Sequence, residues 1–198
     1  IKRSYLEDAH VGSVVGVLER SDGGMDLLIE SLTGDVSVSK IVRISSEWKV
    51  EAELNLDGKP LDFAGGLDGA KAVLLAKDGA EGVKVIEVVG LTTRLSVSWR
   101  TALASGFDVA PKYRIFADGD GYLAFGRKDR SLMMLKIGSA GDVLARSWFD
   151  PRNDPELEIV VDFEVDRNSE KYAVVYDALI VKNRVQSKVT RLGWFSPG

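Results

Sequence analysis

Residues 117–149 read ADGDGYLAFGRKDRSLMMLKIGSAGDVLARSWF and alternate tight turns with short runs of residues that favour strands. A turn at 118–121 leads into a strand over 122–127, a second strand spans 132–137, and a third ends at Trp148. Short β-propensity runs separated by Gly and Asp every eight to twelve residues or so are typical of propeller blades or sandwich strands. This stretch therefore predicts an antiparallel meander.

Two residue types recur along the chain at nearly one period. Tryptophans follow one another at intervals of 46 to 51 residues, at Trp48, Trp99, Trp148 and Trp194. Aspartates of predicted turns recur at intervals of 46 to 50 residues, at Asp22, Asp68, Asp118 and Asp166. Four strands in a unit of about 40 to 50 residues are typical of a β-propeller blade. The sequence predicts an all-β array of four four-stranded antiparallel blades, with a β-sandwich as the alternative.

The third unit resembles a known propeller repeat. In that repeat an Asp-Gly-Gly turn leads into a strand that ends in Gly, and an apolar-Lys-apolar strand precedes a Gly-Asn/Asp-Val-Leu turn and a Trp. This chain follows the pattern in DGDGYLAFG at 118–126 and in LMMLKIGSAGDVLARSWF at 132–149, and the first unit keeps part of it at 21–24 and 33–36. The resemblance implies a fold but no particular activity, because propellers carry unrelated functions.

The spacing divides the chain into a polar lead-in at 1–10 and a single propeller-like domain at 11–198. The predicted repeats are 11–50, 61–101, 111–149 and 158–195. A row of blades exposes sheet edges and apolar faces unless it closes into a ring or is covered. We therefore expect either a closed ring of four blades or part of a larger propeller that another protein or a second copy of the chain completes.

Four prolines fall between these predicted repeats or at the first residue of one. They are Pro60, Pro111, Pro151 and Pro155. Proline cannot donate a hydrogen bond to a strand ladder, so this placement agrees with crossovers at these points.

The composition narrows the class of partner. A formal charge of −4 and a pI near 5.2 argue against recognition of nucleic acid or an anionic membrane by bulk charge. The sequence contains no run of eighteen apolar residues, so no membrane insertion is predicted. Cysteine is absent, which excludes disulfides, thiolate zinc sites and cysteine nucleophiles. Together with the initial Ile1 in place of Met, this absence favours an extracytoplasmic location without fixing the compartment.

Few residues of the chain suggest catalytic or metal chemistry. The single histidine is His10, so a metal site with two histidines cannot form within one chain. Asp118 and Asp120 are candidate calcium ligands, because closely spaced carboxylates on a Gly-rich turn offer hard oxygen ligands. A β-turn favours the same residues for backbone reasons, so we otherwise expect no cofactor. The repeated tryptophans are assigned to packing between blades.

The loop at 150–155 is the predicted contact surface for a partner. Arg152, Asn153 and Asp154 lie between Pro151 and Pro155, which stiffen the loop, and Arg often anchors an interface. We therefore expect a non-enzymatic module that binds another protein, of adaptor or immunity type, or a second copy of itself.

Two other functions stay open at this point. The chain could be a portion or subunit of a larger propeller hydrolase or lyase whose catalytic groups lie outside it. It could also bind glycans through aromatic residues at the rim, for which Phe107, Tyr113 and Phe149 are candidates, although these residues are also typical of a core. Polar residues that converge on the axis would favour the enzyme interpretation.

Overall fold

The computed structural model of the chain describes residues 12–34, 36–78, 84–105, 113–128, 131–149, 159–168, 171–182 and 185–195. Within these ranges the regular structure consists of fifteen β-strands and one short 3₁₀ turn at Leu67–Gly69. Within each sheet every strand pairs antiparallel with its neighbours in the chain, so the strands form four consecutive meanders. The predicted all-β architecture of four blade-like repeats is confirmed.

The four sheets follow one another in sequence. The first contains β1 Gly12–Glu19, β2 Met25–Thr33, β3 Val36–Ile44 and β4 Val50–Asp57. The second contains β5 Lys59–Gly65, β6 Lys71–Asp78, β7 Lys84–Leu91 and β8 Val97–Ser105. The third contains β9 Arg114–Asp118, β10 Gly121–Lys128, β11 Ser131–Ile137 and β12 Val143–Phe149. The described part of the fourth contains β13 Ile159–Asn168, β14 Lys171–Lys182 and β15 Val185–Phe195.

The middle sheets are buried on both faces. In β6, Val73 and Leu75 pack toward the first sheet, whereas Ala72 and Leu74 pack toward the third. Successive side chains of a strand point to opposite faces, so a strand buried on both faces reads as an almost continuous apolar run. The sequence KAVLLAKD of β6 has this form. Because each sheet packs on the next, the fold is a stack of blades and not a two-sheet sandwich.

We call each contact between successive sheets a joint. Apolar clusters fill the three joints, and their central members are fully buried. Joint 1–2 contains Leu28, Ile41, Val73 and Leu75; joint 2–3 contains Leu74, Val88, Ile115 and Leu135; joint 3–4 contains Phe125, Met134, Phe163 and Tyr172. The first strands β1, β5 and β9 also contact one another, which places them on the inner side of the stack.

One five-residue turn recurs between the third and fourth strands of the first three sheets. In each copy the amide of the first residue donates to the carbonyl of the fifth at 2.9 Å, in the turns 45–49, 92–96 and 138–142. The fourth residue of every copy has a positive φ, at Trp48, Leu95 and Gly141. The backbone of this turn is therefore repeated in the first three sheets, although its residues differ.

The prediction that the four tryptophans occupy one equivalent position in every blade is wrong. Trp48 lies in the recurring turn, whereas Trp99 in β8, Trp148 in β12 and Trp194 in β15 are strand residues. The strand tryptophans also differ in register, because Trp99 pairs near the end of β7 and Trp148 near the start of β11. Their intervals are nearly constant only because these shifts are small compared with the repeat length.

The aspartate series holds for part of the chain. Asp22 and Asp68 occupy the same place in two matching turns, where Arg20 and Gly66 donate to the carbonyls that close them. Asp118 instead begins a two-residue turn. Asp166 lies within β13, opposite Ala173, so its assignment to a turn is wrong.

The first crossover also differs from the sequence expectation. Residues 51–57 belong to β4, because the alternating pattern VEAELNLD pairs with β3 along its length. Pro60 lies inside β5, immediately before a β-bulge between Pro60 and Asp62. A bulge leaves backbone groups out of the ladder, which is why a proline is accommodated there.

Candidate functional site

The outer face of the fourth sheet exposes an apolar pair that the other sheets bury. In each sheet, one apolar pair of facing residues on the second and third strands points to the side on which a following sheet would pack. The member on the second strand lies four residues after the end of the turn between the first two strands. These pairs are Leu28–Ile41, Leu74–Val88, Phe125–Met134 and Val175–Leu192. Members of the first three pairs are at most 2% exposed, whereas Val175 is 42% and Leu192 58% exposed.

Polar side chains continue the same face along β14 and β15. Asp177 pairs with Thr190, and the Thr190 hydroxyl donates to Asp177 Oδ1 at 2.6 Å. Lys188 Nζ lies 2.5 Å from Asp177 Oδ2. We call this surface the open face and define it by Val175, Asp177, Lys188, Thr190 and Leu192. It combines an apolar pair with an ordered group of both charges.

The outward face of the first sheet differs from the open face. Its central residues Leu27, Ile29, Val42 and Ile44 are buried. Exposed apolar residues there lie at the margins, at Val14 and Val17 of β1, Val36 of β3 and Val50 of β4. The two ends of the described stack are therefore not equivalent, and the fourth sheet is the end whose central pair is exposed.

A cleft of about 760 Å³ opens between the turns of the first and second sheets, and a buried ionic cluster forms one wall. Asp26 of β2 is fully buried and accepts from Arg43 Nε at 2.8 Å. Lys71 Nζ of the second sheet lies 3.0 Å from Asp26 Oδ2 and donates to Gly69 O at 2.8 Å. Arg43 Nη1 donates to Thr93 O at 2.8 Å. The cluster therefore ties the two sheets together.

Two opposing effects set the charge of Asp26. Burial alone would raise the pKa of Asp26, because it removes water from the carboxylate. Hydrogen bonds and the positive charges of Arg43 and Lys71 outweigh burial and hold this pKa below its ordinary value. Asp26 is thus ionised at neutral pH and forms an ion pair with each of the two cations.

A second cleft of about 410 Å³ lies between the inner strands of the second and third sheets and reaches Val165 of the fourth. Asp62 follows the bulge of β5 and accepts from the Ile115 amide at 2.9 Å. Burial raises the pKa of Asp62, and the amides of Ile115 and Phe63 and the charge of Arg114 offset this only in part. An inner-strand carboxylate of this kind has the chemistry of a general acid or base.

The structure places the calcium candidates at the edge of joint 3–4. Asp118 Oδ2 lies 3.7 Å from Lys136 Nζ, and the Tyr172 hydroxyl donates to Asp118 Oδ1 at 3.4 Å. Asp120 is exposed in the turn. No cluster of three or more His, Cys, Asp or Glu side chains suited to a metal occurs among the described residues. The calcium site stays a prediction.

Several other sequence predictions lie outside the described ranges. These are the contact loop with Arg152, Asn153 and Asp154, the histidine His10, and Phe107. Of the aromatic candidates for glycan binding, Tyr113 is buried in joint 2–3.

Sequence reasoning missed the open face, although a signal existed. Counting four residues from each turn end aligns Val175 with Leu28, Leu74 and Phe125. The exposure of Val175 could not be read from this count, because it depends on what packs against the sheet.

Comparison with solved structures gives the fold but no family. No family model and no curated protein matches the chain. The β-propeller domain of the Trilobed protease from Pyrococcus furiosus, described as having an open velcro topology, has a TM-score of 0.52 and 11% identity over 90% of this chain and 57% of its own. A protein of unknown function from Bacteroides caccae has a TM-score of 0.49 and 15% identity over 83% of this chain and 57% of its own.

A third similar structure is prolyl oligopeptidase B from Galerina marginata, with a TM-score of 0.46 and 12% identity over 94% of this chain and 29% of its own. The chain spans less than two thirds of the length of each of these proteins. The similarity to the propeller domain of the Trilobed protease shows that its fold is of the β-propeller type. Among the described residues no helix has the length and hydrophobicity to cross a membrane.

Proposed function

We propose that this chain is a non-enzymatic protein-binding module of the propeller type, of the adaptor or immunity kind, and that its open face is the contact surface. The observation that carries the proposal is the exposed Val175–Leu192 pair at a position where every preceding sheet has a buried pair. The partner is a protein, because the equivalent surfaces within the chain are covered by protein sheets.

Burial of this pair supplies a driving force for association. Covering a Val or Leu side chain completely is worth about 1.5 to 3 kcal/mol relative to leaving it in water. Val175 and Leu192 belong to paired strands, so little conformational entropy is lost when they are covered. Asp177 and Lys188 at the same face then supply orientation more than affinity.

The charged residues of the cleft between the first two sheets pair with one another and stabilise the fold. Arg43 and Lys71 both engage Asp26, and Arg20 donates to Glu51 at 2.5 Å and also pairs with Asp22. These contacts hold turns and sheets in place.

Site-specific photo-crosslinking tests this function. A benzophenone amino acid at Leu192 should give a discrete protein adduct in an extract of the source cells, whereas the same group at Leu144 should not. Leu144 is the matched control, because it is 57% exposed on β12. The adduct should disappear with Val175→Asp. Equal labelling from both positions, or none from either, would contradict the proposal.

Asp62 supports a second candidate, a portion of a larger propeller enzyme. Burial raises the pKa of Asp62 in a cleft at the inner strands, and the similar structures include the propeller domain of a protease that is longer than this chain. Tagging the gene at its own locus and measuring the intact mass and hydrolase activity of its product tests this. A larger product whose activity falls with Asp62→Asn would favour the enzyme. An inactive product would exclude it.

A further inference from the structure

We propose that the partner at the open face is a second copy of this chain, whose own open face packs against the first about a two-fold axis. This inference rests on the proposed protein-binding function and specifies its partner. Two fourth sheets would then form one additional joint, with the Val175–Leu192 pairs of both copies at its centre.

The three joints within the chain show what kind of surface fits such a pair. At each of them a cross-strand pair is covered by the face of another antiparallel sheet. In joint 3–4, for example, Phe125 and Met134 pack against Phe163, Val174 and other residues of the fourth sheet. Sheets that pack face to face lie roughly 10 Å apart, which lets side chains of both interdigitate. The occupant of the open face is therefore a sheet.

The first sheet of another copy does not offer the required surface. Its outward centre, formed by Leu27, Ile29, Val42 and Ile44, is already buried. A head-to-tail arrangement would thus bring the open face against a covered one. The fourth sheet of a second copy carries the same exposed pair, so a two-fold arrangement covers both pairs at once. Two-fold interfaces are also the commonest in homo-oligomers, since one patch then serves both partners.

The charges of the open face allow it to meet its own copy. Asp177 and Lys188 carry opposite signs and lie beside the apolar pair. A face with charges of one sign would repel an identical face, whereas a face with both signs can be self-complementary. Thr190 adds a hydroxyl that already donates to Asp177 and can accept a further hydrogen bond.

Sedimentation velocity of the purified chain over a dilution series tests the inference. We expect a monomer–dimer equilibrium, with a dissociation constant that Leu192→Asp raises about tenfold or more and that Leu144→Asp leaves unchanged. Circular dichroism and urea unfolding must show that both variants fold. If Leu192→Asp does not, Leu192→Ser replaces it in the same comparison.

The absence of cysteine allows an independent covalent test. Leu192→Cys should form a disulfide-linked dimer under mild oxidation, whereas Leu144→Cys should stay monomeric at the same protein concentration. A wild-type chain that is monomeric throughout, or a dimer that Leu192→Asp does not weaken, would overturn the inference.

The two proposals can fail separately. A monomeric chain that still gives a photo-adduct from Leu192 with a different protein refutes the second copy but keeps the binding function. A monomeric chain without any such adduct refutes both.

Discussion

Joints 1–2 and 2–3 have the same backbone register but opposite chemistry at one position. At the outer end of joint 1–2, Asp26 and Arg43 of the first sheet meet Lys71 of the second. All three side chains are buried or nearly so, and one carboxylate pairs with both basic side chains. A contact between two apolar sheets is therefore closed at its end by ions.

At the same position, joint 2–3 has aromatic side chains where joint 1–2 has charged ones. The residues equivalent to Asp26 and Arg43 are Ala72 and Gly90, which pair across β6 and β7. Trp99 lies over Gly90, and its ring centroid is 6.1 Å from that of Tyr122 in the third sheet. Burial raises the pKa of Tyr122. A small residue on one sheet thus makes room for an aromatic pair.

The strand register is the same in both joints although the side chains at equivalent positions differ. The hydrogen-bonded turns, and not particular side chains, therefore set the register. Leu95 and Gly141 occupy the same left-handed turn position, yet Leu95 is buried in joint 1–2, whereas Gly141 fits against the ring of Trp99. Side chains with different physical properties can therefore stabilise one geometry. Each joint should therefore lose stability when its own set of side-chain contacts is removed.

The largest effect is expected from Asp26→Ala, which leaves Arg43 and Lys71 buried without their anion. Loss of one partner from a buried ion pair typically costs about 3 to 5 kcal/mol. Urea unfolding should show this loss, and Asp120→Ala in an exposed turn should change the free energy of unfolding little. The triple variant Asp26→Leu, Arg43→Met, Lys71→Met should be more stable than Asp26→Ala alone. If it is less stable, the ions are needed for more than charge compensation.

Gly90→Ala should give the next largest effect, in joint 2–3. A Cβ at Gly90 would overlap the indole of Trp99. Overpacking of this kind costs about 1 to 3 kcal/mol. Gly65→Ala is the matched control, because its Cβ would lie 3.6 Å from Leu18 at ordinary contact distance. A cost at Gly90 no greater than at Gly65 would show that the ring moves freely and that joint 2–3 is loosely packed.

Thr101→Val removes a single hydrogen bond between the same two sheets. The Thr101 hydroxyl donates to the carbonyl of Gly141. Its loss should cost about 1 kcal/mol, since the carbonyl is left without this partner in a partly buried place. Thermal denaturation can measure this, with Thr93→Val at an exposed position of the turn 92–96 as the control. Equal effects at both positions would mean that the hydroxyl of Thr101 does not stabilise the joint.

The smallest effect concerns pH. Burial raises the pKa of Asp62 in the folded chain above its value in the unfolded chain. The contribution of this carboxyl group to the stability of the fold is therefore fully present below the unfolded pKa and is lost as pH rises through the folded pKa. Asp62→Asn keeps an acceptor for the Ile115 amide but cannot ionise. The free energy of unfolding of Asp62→Asn relative to wild type should therefore be higher at pH 7 than at pH 3, as measured by urea unfolding at both values. A pH-independent difference would contradict this.

The sequence was sufficient for most of the strands and turns, because these depend on local chemistry, whereas β4 and the strand position of Asp166 were missed. Gly-rich turns and apolar alternation located the meanders, and Asp22 and Asp68 do lie in matching turns. The tryptophan period failed because Trp48 occupies a turn and Trp99 a strand, a difference of a few residues that spacing cannot resolve. Periodicity reports repeat length, whereas position within a repeat depends on register.

Burial of charge and exposure of apolar residues were beyond the sequence for a different reason. Asp26, Arg43 and Lys71 come from three strands of two sheets, so their meeting depends on the joint. Val175 and Leu192 read as ordinary core residues in strands. Their exposure follows from the absence of a covering sheet among the described residues.

The pairing of every described strand with its neighbours in the chain also bears on folding. Local pairings close short loops, so each sheet can form before the next one docks, and the entropic cost is divided into small steps. The central pair of each of the first three sheets is covered by the following sheet, whereas the central pair of the fourth is exposed. In native-state hydrogen exchange we therefore expect the amides of β14 and β15 to open at lower free energy than those of β6 and β7.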